Sequence, residues 1–93
     1  MTWDIKRTDT FSKEFKKHKK DGEFVKALEA KLERLKENPE NVGGYLSGRL
    51  HGYKSTRIIG KYRLVFKIVK EENTVHLMAI DHRKFGYERF DFD

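Results

Sequence analysis

Between residues 55 and 80 three runs rich in β-branched, aromatic and aliphatic residues follow one another almost without pause. They are Ser55 to Ile59, Tyr62 to Val69 and Thr74 to Ile80, with Gly60-Lys61 in the first gap and Glu71-Glu72-Asn73, after Lys70, in the second. Turns of two to four residues permit only antiparallel hairpins, because a parallel crossover needs a dozen residues or more. The C-terminal half is therefore a meander. Such a sheet has one face to bury, and the N-terminal half must cover it.

That half has the right pattern. Trp3 and Ile5 alternate with polar neighbours up to Arg7 as a short first strand, and Thr8, Asp9 and Thr10 are candidate helix N-caps. Phe11 and Phe15, four apart, mark the buried side of a first helix, with the basic run KKHKK at 16 to 20 on its remaining surface toward its C-terminal end. Asp21-Gly22 reads as a tight turn. Phe24, Leu28, Leu32 and Leu35 then recur at steps of three and four, the signature of an amphipathic helix, which Asn38-Pro39 ends. The segment ENVGGYLSGRLHGYKS holds four of the seven glycines and reads as a loop with a short strand near Leu46 to Leu50. The expected fold is α+β in a single domain over 1–93: an N-terminal strand, an antiparallel helical hairpin, then an antiparallel meander sheet of three to four strands.

Composition narrows the function. With 39% charged residues the chain is not embedded in a membrane, and no apolar run approaches the roughly 20 residues that span one. MTWDIKRTDTF has no signal-peptide core, so the cytoplasm is the expected address. There is no cysteine, which excludes disulfides and thiolate metal sites, and no histidine pair has metal-site spacing on one element. No metal or cofactor is expected. The net charge of +6 favours a polyanionic partner.

On the second strand of the meander, Tyr62, Leu64, Phe66 and Ile68 share one side and form the core. Arg63, Val65, Lys67 and Val69 share the other, a half-exposed cationic face. Lys54 and Arg57 from the preceding strand, and His82, Arg83, Lys84 and Tyr87 from IDHRKFGYERF, converge on that face if the sheet is antiparallel and continuous. Guanidinium forks that fit phosphate oxygens, an imidazole that titrates near neutrality, a phenol and aromatic rings suit phosphodiester chemistry. Arg49 and His51 in the glycine-rich loop are further candidate RNA contacts. Solvated strand charges of a basic protein look the same, and the residue types alone leave both readings open. Of the other histidines, His18 in the lysine run reads as solvated and His76 as a surface or core residue of its strand.

The stretch GYLSGRLHGYKSTRIIGKYRLVFKIV, followed by TVHLMAIDHRKFGY, resembles the RelE/ParE superfamily of toxins from toxin–antitoxin pairs. Its Leu-Ser-Gly, Ser-x-Arg-Ile and Tyr-Arg-Leu-Val-Phe elements are similar to the RelE and YoeB ribonuclease branches. The resemblance implies a ribosome-dependent, metal-independent endoribonuclease that cuts mRNA in the A site of the 70S ribosome, with a separate cognate antitoxin as partner. It implies that Arg63 stabilises charge on the phosphate, that Arg83 assists the leaving group or clamps the backbone, and that Tyr87 orients or stacks on the substrate. Lys54 resembles a strand lysine that lowers the pKa of the nucleophile, and Arg57 the arginine of Ser-x-Arg. The glutamate that serves YoeB-like toxins as base has no match near Gly43-Gly44, Glu40 lying a few residues off, which leaves His82 or Lys54 for the proton. The ParE branch of the same superfamily poisons DNA gyrase and has no nuclease site, and a basic RNA-binding module without catalysis needs only the charge and the aromatics.

Overall fold

The computed structural model describes residues 2–85. Strand β1 (Asp4–Arg7) leads into helices α1 (Asp9–Lys16) and α2 (Gly22–Glu37), followed by β2 (Gly44–Tyr45), β3 (Lys54–Ile59), β4 (Tyr62–Val69) and β5 (Thr74–His82). The five strands form one sheet in the order β1-β5-β4-β3-β2. As expected, β2 to β5 are an antiparallel meander; β1 joins its far edge parallel to β5 and makes the sheet mixed. β2 is two residues long and lies upstream of the expected 46–50, where the chain instead makes a 3-10 turn at Gly48–Leu50.

Both helices begin at side-chain caps. Thr8 Oγ1 accepts from the Phe11 amide at 3.2 Å and donates to the Leu77 carbonyl at 2.8 Å, which ties the start of α1 to β5. Asp21 does not make a turn with Gly22. Its Oδ1 accepts from the Phe24 amide at 3.2 Å, so it is the N-cap of α2 and Gly22 is the first helical residue. Satisfying an orphan amide with a carboxylate outweighs the turn preference of Asp-Gly. The reversal accordingly falls on residues 17–20, and most of the basic run lies on that turn rather than on α1. α1 lies against β5 and α2 against β3, burying Phe11, Phe24, Leu28 and Leu35 on Leu64, Phe66, Val75, Leu77 and Ile80.

The opposite face of the sheet is less open than the alternation implied. Val65 and Ala79 are fully buried there, under Leu46, Tyr53 and Met78, because the glycine-rich segment folds back across the middle strands. A β-bulge lies at the same level: Val65 faces Ala79 and Phe66 faces Leu77, leaving Met78 as an extra residue. Met78 and Ala79 both pack on this face, so the alternation of β5 is reversed beyond them. That single residue decides what stands opposite Arg63.

Candidate functional site

Two polar rows cross the face away from the helices. In one, Arg57 of β3 stands opposite Arg63 of β4, and Arg63 opposite Asp81 of β5. In the other, Lys6 of β1, His76 of β5 and Lys67 of β4 are in register, and Lys67 Nζ lies 5.3 Å from the centre of the Tyr53 ring. The buried Val65 and Ala79 separate the rows. Arg57 is exposed, and its Nε donates to the Gly60 carbonyl at 3.0 Å, anchoring the guanidinium beside the β3–β4 turn. Arg63 is half-buried, whereas Asp81 is 1% exposed.

Lys54 and His82 do not join these rows. Lys54 and Arg57 are three residues apart on one strand and point to opposite faces. Lys54, only 2% exposed, faces the helix side, where Nζ donates to the carbonyls of Glu40 at 2.7 Å and Pro39 at 3.3 Å and lies 4.8 Å from the Tyr45 ring centre. It holds the backbone after α2 in place. His82 stands opposite Tyr62, the two rings meeting edge to face at 5.1 Å, and Tyr62 belongs to the helix-side core. The bulge is the reason. Regular alternation from His76 would bring His82 to the face of Arg63; the extra residue at Met78 brings Asp81 there instead.

His82 instead borders a cavity of about 330 Å³ between the end of α1 and the sheet, together with Glu14, Lys17, His18, Tyr62 and Lys84. His82 Nδ1 accepts from the Lys84 amide at 3.1 Å. His18 is half-buried rather than fully solvated: it stacks on Phe24 at 4.3 Å and meets Tyr62 edge-on at 4.7 Å. Burial lowers its pKa, against the opposing pull of Glu14 and Asp21. Arg83 and Lys84 are exposed just beyond β5, where the Arg83 amide donates to the Lys61 carbonyl at 2.7 Å. Arg49 and His51 are exposed on the segment whose flanks, Leu46 and Tyr53, cover Val65. Tyr87 lies outside the described residues, among which no three acidic or histidine side chains form a metal site.

Asp81 and Lys6 are polar residues of this face that were not among the candidates from the sequence. A carboxylate inside the run MAID is out of place by strand propensity, and that was the available signal.

The comparisons agree with this architecture. The family model for the ParE toxin of the type II toxin–antitoxin system parDE matches residues 5–87. A chain of the toxin–antitoxin complex RelBE2 from Mycobacterium tuberculosis is 31% identical over 89% of this chain and 100% of that one, with a TM-score of 0.74. A metal-bound toxin from Helicobacter pylori is 25% identical over 90% and 97%, also at 0.74. A chain of the YoeB-YefM complex from Staphylococcus aureus is 22% identical over 88% and 98%, at 0.72, a likeness of fold. No curated protein sequence matches. With the family model spanning nearly the whole chain and the sheet and helices shared with these toxins, the chain belongs to the ParE toxin family, within the RelE/ParE superfamily of type II toxin–antitoxin systems.

Proposed function

We propose that this toxin is an endoribonuclease that cuts mRNA in the ribosomal A site, and that Arg57, Arg63 and Lys67 hold the RNA backbone on the face of the sheet away from the helices. The observation that carries this reading is the placement of Arg57 directly opposite Arg63. Like charges across a strand pair are destabilising. A bound phosphate turns that cost into a paired anion site, to which each guanidinium brings a fork of N–H donors.

In the proposed reaction the 2′-oxygen attacks the adjacent phosphorus, the bond to the 5′-oxygen breaks, and a 2′,3′-cyclic phosphate and a 5′-hydroxyl remain. Arg63 opposes the negative charge that builds on the non-bridging oxygens, and Arg83, exposed beyond β5, clamps the strand. With Lys54 and His82 on the helix side, neither takes the proton of a nucleotide bound over Arg63. What the described residues supply is charge stabilisation: the 2′-hydroxyl proton leaves to water or to a group of the ribosome, and the departing 5′-oxygen takes up a proton from the same source. The same separation favours a second reading, a ParE-like toxin acting on DNA gyrase without cleavage. Under either reading a cognate antitoxin is the protein partner, as in the RelBE2 and YoeB-YefM complexes. Among the described residues no helix is long and apolar enough to cross a membrane.

Expression of the chain alone should arrest growth, and co-expressed antitoxin should restore it. Mapping mRNA ends on programmed ribosomes, beside a gyrase supercoiling assay, separates the readings: new 5′-hydroxyl ends in the A-site codon support the nuclease, while loss of supercoiling with intact mRNA supports the second reading. Binding should also weaken steeply with salt. Three phosphate contacts on a single strand give a slope of log K against log salt of about −2, and Arg63→Gln should make it shallower by about one contact. A salt-independent affinity would rule out a phosphate-binding face.

A further inference from the structure

We propose that Asp81 is a positioning residue that aims the Arg63 guanidinium at the phosphate. This deepens the nuclease reading and rests on it for its catalytic consequence. Three observations carry the pairing. Asp81 is directly opposite Arg63 across β4 and β5, on the same face. It is 1% exposed, and a buried carboxylate needs a cation or several donors around it. It reaches that place only because of the bulge at Met78, without which the alternation of β5 would put Asp81 among the helix-side residues. Bulges of this kind re-aim a side chain, and they are over-represented next to active sites.

The chemistry of the row follows. Arg57 on one flank of Arg63 repels it and Asp81 on the other attracts it, so the Arg63 fork is drawn toward β5 and its remaining N–H donors are held in a fixed plane. Preorganisation of this kind matters most when charge develops, because the donors need no reorganisation as the 2′-oxygen attacks. Asp81 itself touches neither the substrate nor the reacting atoms.

Asp81→Asn keeps the volume and removes the charge. By NMR, the Arg63 Nε–H should exchange slowly with water in the wild type and as fast as that of exposed Arg34 in the variant. This readout does not depend on catalysis. In single-turnover cleavage on programmed ribosomes, Asp81→Asn should lower the rate at saturating ribosome about 10²-fold, the cost of a misplacement of about 1 Å, with little change in apparent affinity. Added to Arg63→Ala, it should cost nothing further. An Arg63 signal unchanged by Asp81→Asn, or a loss that adds in full to that of Arg63→Ala, would overturn the proposal. If the variant does not fold, the wild type decides alone: an Arg63 Nε–H that exchanges as fast as that of Arg34 refutes the pairing. A slowed Arg63 in a wild type that cuts no RNA would uphold the pairing and refute the nuclease reading.

Discussion

Replacing Arg63 by alanine should cut the cleavage rate on programmed ribosomes by about 10²–10³, or roughly 3–4 kcal/mol of barrier, as is typical when one preorganised donor is removed from a developing oxyanion. The loss should fall on the chemical step, since the positive charge meets a larger negative charge in the transition state than in the ground state. The fold should survive, because the helix-side core at this level is carried by Leu64 and Phe66, both 0% exposed. Stability should nevertheless drop somewhat, as the buried Asp81 loses the cation opposite it. Arg63→Lys separates the two effects: it keeps a charge for Asp81 and so the melting temperature, yet it rescues cleavage poorly, because an ammonium does not reproduce a planar fork. Thermal melting and single-turnover cleavage of both variants make the test. A folded Arg63→Ala that cuts at the wild-type rate would return Arg63 to the role of an ordinary strand charge.

How far the sequence discloses such a site is clear from β4 and β5. Within β4 the alternation of Tyr62, Leu64, Phe66 and Ile68 with Arg63, Val65, Lys67 and Val69 is local, and the structure keeps it. Strands β3 to β5, the turns between them and the apolar stripe of α2 are legible for the same reason, as each depends on residues within one or two turns of chain. The partner opposite Arg63 is not local. It depends on the register of a second strand, and one extra residue at Met78 exchanges His82 for Asp81. Nothing in the run TVHLMAIDH marks where a bulge falls. Lys54 is a different case. Its separation of three from Arg57 already placed the two on opposite faces, and its burial follows from the carbonyls left after α2, which a long cationic side chain can reach while its stem stays in the core. The cap at Asp21 shows a third limit: Asp-Gly serves equally as a turn or as the start of a helix, and the bond from the Phe24 amide to the Asp21 carboxylate decides between them.

The covering segment 43–53 offers the largest expected effect on stability, at Gly43. Its φ is +66°, in the left-handed region that side chains with a Cβ adopt at a cost of about 1–2 kcal/mol. A Cβ there would also lie 2.2 Å from the Ser55 carbonyl oxygen and 2.8 Å from its carbon, and backbone of β3 cannot swing aside as the end of a flexible side chain can. Relief requires Gly44 to part from Ser55, its partner in the β2–β3 register. Gly43→Ala should therefore destabilise by about 2–4 kcal/mol, as strain at a special backbone position adds to a steric clash. For a domain of this size that lowers the melting temperature by about 8–32 °C, at about 4–8 °C per kcal/mol. Two neighbouring glycines resolve the cause. Gly48 has φ +65° but open space where its Cβ would stand, so Gly48→Ala should show only the conformational cost. Gly44 has neither a positive φ nor a neighbour within 4 Å, and Gly44→Ala should change little. Thermal melting of the three variants should rank the losses Gly43, Gly48, Gly44. Equal losses at Gly43 and Gly48 would mean that β2 yields freely, and that Leu46 and Tyr53 are held over Val65 by their own packing rather than by the β2–β3 pairing.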